Sequence, residues 1–469
     1  LTICLALAGF LVTGCKPARK SLTEAEAQSE RLACAFDAGA MPEETLAGDA
    51  PRGDQIPIDH IILIMQENRS FDHYLSLLPG ANVASPDVQV PGPDGGFVQR
   101  FHTSTYCVQD DVNHSWDGVH QEIDDGGMDG FAIANADAIK GDPNGARSMG
   151  YLDSTDLPFY YSLAETFAVS DSHFCSAPGD TAPNREYFAA ASSRGAADET
   201  IINLPQKDAN GNQLQNIYSL VDGAHISWRF YSAGVTPQFG SFAATNQDFA
   251  TNYIPKLGSL QDFYNDLQAG TLPSVAFVDE ATNDQLTSTT QPNPTCLSNE
   301  HPTENPQLGQ KFIANVVNAL LASPNWKSSA LFVTWDEHGG FYDHVYPPHA
   351  CPPDDYPPMA IVDMKMVPQQ GAFDQYGVRV PLFVVSPYVK RGYVSHVVTD
   401  HTSLLRFIEA KFNLPALTRR DANAAPPFDM FDFQHPDFSK PTLAEAVVDD
   451  PTKHGCGALP TTCTFGNGL

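Results

Sequence analysis

The amino-acid sequence predicts an α/β fold: a doubly wound, mostly parallel sheet with helices on both faces and loop insertions. Ile61-Ile62-Leu63-Ile64-Met65 is a continuous apolar run that stops at Gln66-Glu67-Asn68-Arg69-Ser70. A run without polar alternation reads as a strand buried on both faces, as in a parallel sheet covered by helices. Ser328 to Trp335 repeats the design and ends in Asp336-Glu337, followed by His338-Gly339-Gly340. From Ile58 onward, further apolar strand candidates alternate with helical patterns, the order expected of a doubly wound sheet.

Taken along the chain, residues 1–15 are an apolar run too short to span a bilayer and read as a secretory signal. Val12-Thr13-Gly14-Cys15 resembles a bacterial lipoprotein box, so Cys15 is the expected lipidation point. The protein is accordingly expected to be exported, as a periplasmic or cell-surface lipoprotein or as a secreted protein. Residues 16–54 are rich in Ala and Glu and read as a tether. The main domain spans 55–420, with strands also expected at His225–Tyr231, Ser274–Val278 and Val380–Val385. Helices are expected at Asn184–Ser193, Leu308–Leu321 and Thr402–Phe412. Two stretches interrupt the alternation and read as lid-like insertions: 80–150, rich in Gly, Asp and His, and the Pro-rich 345–377. The Pro-rich tail 421–469 offers Phe428, Met430, Phe431 and Phe433 for packing as a strap.

At 42% hydrophobic residues over 469 positions, the chain can bury a large core. Its 26 basic residues against 56 acidic ones leave a net charge of −30, which argues against nucleic acid as partner and against electrostatic docking on anionic membranes. The cysteines other than Cys4 and Cys15 are Cys34, Cys107, Cys175, Cys296, Cys351, Cys456 and Cys463. Export permits disulfides, Cys456 with Cys463 being one that closes a small loop; the odd count leaves a free thiol, and the spacing is not that of a zinc site.

Ligands of open α/β sheets collect beyond the carboxyl ends of the strands. Glu67, Asn68, Asp336 and Glu337 therefore form a candidate set of oxygen ligands for one divalent cation such as Ca²⁺, Mg²⁺ or Mn²⁺. Buried carboxylates need a counter-charge, and salt bridges with Arg69 and Arg185 are the alternative to a metal. Arg69 either binds phosphate or neutralises Glu67 and Asp72. Ser176-Ala177-Pro178-Gly179-Asp180-Thr181 forms a tight loop before an Ala-rich helix. Thr181 near that helix N-terminus is a candidate nucleophile, since free N–H groups favour developing negative charge there. An N-cap role is its plain alternative.

In order, Glu67-Asn68-Arg69-Ser70-Phe71-Asp72, Thr181-Ala182-Pro183-Asn184-Arg185, Asp336-Glu337-His338-Gly339-Gly340-Phe341-Tyr342-Asp343-His344 and Val378-Arg379-Val380-Pro381 through Ser386-Pro387 resemble the motifs of a known family. It is the phosphoesterase family of bacterial and plant non-specific phospholipases C and the Francisella-type acid phosphatase. The resemblance runs from about Ile56 to Leu414. It implies an alkaline-phosphatase-like core, Thr181 as nucleophile, and a metal held by Glu67, Asn68, Thr181, Asp336 and Glu337. His114 and His301 match the family's active-site histidines, and Arg185, Trp116 and Asp129 are the expected substrate contacts. Asp343-His344 and Asp400-His401 are either a second metal site or structural pairs.

The expected reaction is metal-dependent phosphoester hydrolysis through a phosphothreonine, with phospholipase C-type cleavage of a diester such as phosphatidylcholine. Trp116, Tyr106, Tyr151, Tyr160 and Tyr161 are candidate walls for a choline pocket. Phosphatase action on monoesters is the runner-up, and a binding lipoprotein on a phosphoesterase scaffold is the non-enzymatic alternative. A Ser-His-Asp hydrolase is set aside because no Gly-x-Ser-x-Gly elbow is present.

Overall fold

The computed structural model describes residues 21–199, 214–232, 253–280, 298–362 and 365–458. Its core is one eight-stranded sheet. In chain order the strands are β1 (His60–Gln66), β2 (Ala168–Ser170), β3 (Trp228–Ser232), β4 (Leu257–Ser259), β5 (Val275–Asp279), β6 (Ser329–Trp335), β7 (Leu382–Val385) and β8 (Tyr393–Ser395). Across the sheet they lie in the order β8-β2-β7-β6-β1-β5-β3-β4. Only β7 runs against its neighbours, pairing antiparallel with both β6 and β2; the other pairings are parallel.

Consecutive residues Ile61 to Met65 of β1 and all of β6 are buried, so both faces of these central strands are covered. Removing such side chains from water contributes about 1.5–3 kcal/mol each. Outside this core lie α1 (Glu24–Leu32) and α2 (Trp116–Ile123); the cover comes from α3 (Pro158–Thr166), α4 (Thr181–Ala190), α5 (Ile217–Gly223), α6 (Leu260–Ala269), α7 (Pro306–Ala322) and α8 (His401–Phe412). They pack as two groups, α4 with α5 and α8, and α7 with α3 and α6. Each helix predicted in the main domain is present, shifted by at most a few residues at its ends. Among the described residues, no helix is long and apolar enough to cross a membrane.

Register fixes the functional edge. Gln66 pairs with Trp335, so Glu67 and Asp336 leave the sheet side by side. Ile64 pairs with Val278, which brings Asp279 and Glu280 to the same edge from β5. Three adjacent strands thus end in acids at one level.

The peripheral segments are tied to this core. Residues 21–53, expected as a tether, carry α1, and Cys34 is disulfide-bonded to Cys351 in the Pro-rich insertion. Cys456 is bonded to Cys107, not to Cys463, because the tail runs back to the 80–150 insertion, where the His454 carbonyl accepts from the Tyr106 N–H. Cys175 is free and buried. The Pro-rich 345–377 insertion contains a small antiparallel ribbon, Met359–Val362 with Lys365–Pro368. The signal and lipobox reading of 1–15, and Cys296 and Cys463, fall outside the described residues.

Candidate active site

At the carboxyl edge of β1, Asn68 adopts φ 60°, a left-handed turn that directs its backbone N–H to Asp336 Oδ1 at 2.9 Å. Its side-chain amide donates to Glu337 Oε1. The two glycines after His338 make this closeness possible. A Cβ on Gly339 would lie 2.3 Å from the Asn68 carbonyl, and one on Gly340 would lie 2.6 Å from the carbonyl of Asn113. The pair therefore lets the β6 loop pack on the β1 loop and on the segment that carries His114.

Thr181 is the first residue of α4, with Asp180 at the N-cap, so Thr181 is not the cap itself. Asn184 laces the preceding loop: its amide donates to the carbonyls of Ala177, Gly179 and Asp180 at 3.0–3.1 Å, and its oxygen accepts from the Ala177 N–H at 2.9 Å. One turn along the helix, buried Arg185 reaches the strand-end acids. Its Nε donates to Asp336 Oδ2 at 3.1 Å and its terminal nitrogens lie 2.9 Å from Glu280, 3.6 Å from Glu67 and 3.8 Å from Asp279. Glu67 also accepts from Asn299 Nδ2 at 2.9 Å.

Among the described residues acids outnumber cations here, and the protonation equilibria register it. Burial pushes Asp336 up to about 7 against the pull of Arg185, with Glu337 and Glu67 adding repulsion. Burial likewise raises Glu280 well above the carboxylate range. Asp180 is raised to about 7 by burial, an effect that His114 only partly offsets. Burial opposes charge on His114, yet Glu337, Asp111 and Asp180 outweigh it and lift the imidazole to about 10. His301 is raised in the same way by Asp111, whose Oδ2 lies 3.3 Å from its Nε2. The two imidazoles stand edge to face at 6.0 Å.

The donor set fits a hard divalent cation. Asn68 Oδ1 is buried and, among the described residues, accepts no hydrogen bond, while Glu67, Asp336 and Glu337 stand at the same strand ends, Arg185 being the cation beside Glu67 and Asp336 and His338 the one beside Glu337. Among the described residues, the groups whose ligating atoms already lie within 4.8 Å of one another are Asp111–His114–His301, Asp72–Asp343–His344 and His102–Asp153–Asp156; Glu67, Asp336 and Glu337 are not drawn that close together.

The phosphoesterase family profile matches residues 58–415, more than half of the chain. The chain belongs to the phosphoesterase family. Phospholipase C B of Mycobacterium tuberculosis is 31% identical over 473 aligned positions, covering 90% of this chain and 86% of that one. Non-specific phospholipase C1 of Arabidopsis thaliana is 30% identical, covering 79% of this chain and 70% of that one. Among solved structures, an alkaline phosphatase superfamily protein from Vibrio parahaemolyticus aligns with TM-score 0.38 at 7% identity, over 79% of this chain and 69% of that one. The protein is thus a phosphoric ester hydrolase.

Not every residue expected at the phosphoesterase site is drawn to it. Trp116 lies against the loop before Thr181, 3.5 Å from where a Cβ on Gly179 would be, with its indole N–H on the Gln370 carbonyl at 2.9 Å. Asp129 instead faces Asp124, after the left-handed turn at Met128 (φ 52°). Asp343 and His344 gather with Asp72 and Arg379, whereas Asp400 binds Ser176 and Thr402 and His401 Nε2 donates to the Trp335 carbonyl at 2.9 Å. The four therefore form two separate hydrogen-bonded groups. The aromatic walls expected for choline are also dispersed: Tyr160 binds Glu300, Tyr161 binds the Leu77 N–H, and Tyr151 lies under Arg100.

Sequence reasoning missed Asp279, Glu280, Asn299, Asp111 and Asp180. The first two were visible, since the run Val275-Ala276-Phe277-Val278 also stops in paired acids. The other three lie in irregular loops with no periodic signal. His338, read as a loop residue, is buried between Glu122 Oε2 at 2.7 Å and Glu337 Oε2 at 3.4 Å.

Proposed function

We propose that this phosphoesterase cleaves phospholipid-type phosphodiesters in the manner of a phospholipase C, with Thr181 as nucleophile and His114 and His301 serving the leaving group. The observation that carries the reading is the position of Thr181 four residues before Arg185 on α4. Residues at i and i+4 share a helix face, so the helix that plants Arg185 among the strand-end acids turns Thr181 toward the same edge.

In the first step Thr181 Oγ attacks phosphorus in line, a P–O bond to the alcohol breaks, and a phosphothreonine forms. Protonated His114, lifted to about 10, gives its proton to the departing alkoxide. Such general acid help is worth about 10²–10⁴-fold. Water then attacks the phosphothreonine, the neutral imidazole accepting its proton while the P–Oγ bond breaks, and the Thr181 oxygen regains from solvent the proton it released before its own attack. Arg185 neutralises charge on the transferring group, which is most of what phosphoryl transfer asks of a protein; the helix terminus adds little, because the Ala182 N–H is taken by Glu199 at 2.9 Å and Pro183 has none. Glu67, Asn68, Thr181, Asp336 and Glu337 would hold one divalent cation, which when bound lowers the pKa of the hydroxyl and offsets phosphoryl charge.

The names and coverage of the relatives support the diester. Two disulfides between segments more than 300 residues apart suit an oxidising compartment, which supports export, with Cys15 as the proposed lipid anchor. Wild type and Thr181→Ala, assayed on p-nitrophenyl phosphate and p-nitrophenylphosphorylcholine, test the proposal. Turnover should fall about 10³-fold or more in the variant, with the diester the better substrate of the wild type. Equal or absent turnover in both proteins would sink it, and preference for the monoester would favour the phosphatase reading.

A further inference from the structure

Beside the acid edge lies a cavity of about 280 Å³ whose lining includes Arg69, Lys140 and Arg147. Arg69 is fully buried, yet among the described residues no carboxylate lies within 4.0 Å of it, so it neutralises neither Glu67 nor Asp72. One terminal nitrogen donates to the His301 carbonyl at 3.2 Å, another faces His73 Nε2 at 3.3 Å, and Nε has no partner. The guanidinium is stacked over Phe341, 4.8 Å from the ring centre. Buried Glu300 feels this charge but spends its hydrogen bonds on Tyr160 and Trp335, and a desolvated guanidinium with no carboxylate in contact still favours an added anion.

The other charges of the cavity leave that demand unmet. Asp142 accepts from the Ala146 and Arg147 N–H groups and lies 3.9 Å from Arg147 Nε, so its charge is already answered. Lys140 has no acidic partner within 4.0 Å of its ammonium among the described residues; Asp137 accepts from its backbone N–H at 3.2 Å and, with Asp111, lines the adjoining cavity, so within this cavity Asp110 is the acid left to oppose Lys140 and Arg69. This is a local cationic excess in a chain of net charge −30. Lys140 and Arg147 also line an adjoining cavity of about 350 Å³ that contains His114 and Asp180, the residue before Thr181. A diester at Thr181 can therefore extend one arm past Lys140 to Arg69.

Resting on the phosphodiesterase reading, we propose that the Arg69 cavity is a subsite for an oxyanion, phosphate or carboxylate, carried on the headgroup arm. The enzyme then prefers diesters with acidic headgroups, and a quaternary ammonium is disfavoured there by Arg69 and Lys140. The test compares kcat/KM on short-chain phosphatidylinositol 4-phosphate, phosphatidylethanol and phosphatidylcholine for wild type, Lys140→Gln and Arg69→Gln. The acidic headgroup should be favoured about tenfold or more over ethanol by the wild type, and each variant should lose most of that ratio.

Lys140 is exposed, so Lys140→Gln reads the ratio even where Arg69→Gln fails to fold. A ratio unchanged in Lys140→Gln, or a wild-type preference for choline, would overturn the proposal. If no diester is turned over, the phospholipase reading fails, and calorimetry with inositol 1,4-bisphosphate still examines the cavity: binding weakened in Lys140→Gln supports the subsite, no binding overturns it. Inorganic phosphate binding as tightly, with the same loss in the variant, would assign the cavity to free phosphate and overturn the headgroup preference.

Discussion

Two buried arginines stand among acids beyond the ends of β1 and β6, and they are built to opposite rules. Arg379 faces Asp343 at 3.1 Å and Asp72 at 3.3 Å, and donates to the carbonyls of Asn82 and Asp171 at 2.7–2.8 Å. His344 closes the group on Asp72 at 2.5 Å. Burial alone would raise Asp72, but Arg379 and His344 outweigh it and hold its carboxyl at about 2. Arg185 faces Glu67, Asp279, Glu280 and Asp336 with one charge, and Asp336 is pushed up to about 7. The first group is nearly neutral, Arg379, His344 and Arg100 facing Asp72 and Asp343, and burial raises only Asp343 of the two acids, which is how a buried clasp behaves. The second carries an excess of carboxylate that the fold tolerates at a cost, which is how a site prepared for a ligand behaves.

If that contrast holds, the largest effect comes from breaking the clasp. Arg379→Gln leaves Asp72 and Asp343 buried without their counter-ion and should destabilise the protein by about 3–5 kcal/mol in urea unfolding. Asp336→Asn should do the reverse. Catalysis should drop about 10²–10³-fold, or about 2.7–4 kcal/mol, while the cation-free protein unfolds at the same or a higher temperature because repulsion is relieved. A comparable loss of stability in both variants would mean that the two clusters are of one kind.

The contrast was half legible before the fold was known. β1 and β6 declare themselves by apolar runs ending in acids, and with them Glu67 and Asp336. Asp343 and His344 sit in the same motif as Asp336, so sequence could not say that Asp343 turns toward Arg379 and His344 toward Asp72 while Asp336 turns toward Arg185. Pairing across hundreds of residues, as in Arg379 with Asp72, leaves no local trace. The direction of β7 is equally silent, because a strand buried on both faces is an apolar run whichever way it points. The Cys107–Cys456 bond was missed because sequence proximity favoured Cys463, whereas the tail returns to the insertion.

A third, smaller effect separates the clusters through the ligand. Dialysis against a chelator should abolish activity and lower the unfolding temperature, and Ca²⁺, Mg²⁺ or Mn²⁺ should restore both. A cation at about 100 times its Kd stabilises by about 2.7 kcal/mol. The thermal shift should vanish in Asp336→Asn and persist in Lys140→Gln. A cation-free protein of full activity would contradict the proposed metal set.

The smallest effect is the pH dependence, and its sign differs between Asp72 and Asp336; Asp343, beside Asp72, is raised by burial against the pull of Arg379 and falls on the side of Asp336. Asp72 has its folded-state value lowered to about 2 from an ordinary 3.8. Its stabilisation is therefore complete above about pH 4 and is lost as pH falls toward 2, on the order of 2 kcal/mol in all. Asp336 is raised to about 7, so between pH 4 and 7 the folded chain holds a proton that the unfolded chain has released. In chelated protein its contribution declines as pH rises through that window. Urea midpoints from pH 2 to 8 for wild type, Asp72→Asn and Asp336→Asn resolve the two limbs. Asp72→Asn should flatten the limb below pH 4, and Asp336→Asn should reduce the slope of the upper limb, to which the raised carboxyls of Asp180 and Glu300 also contribute. If both substitutions flatten the same limb, the clasp and the cation site share one titration and the division between them is wrong.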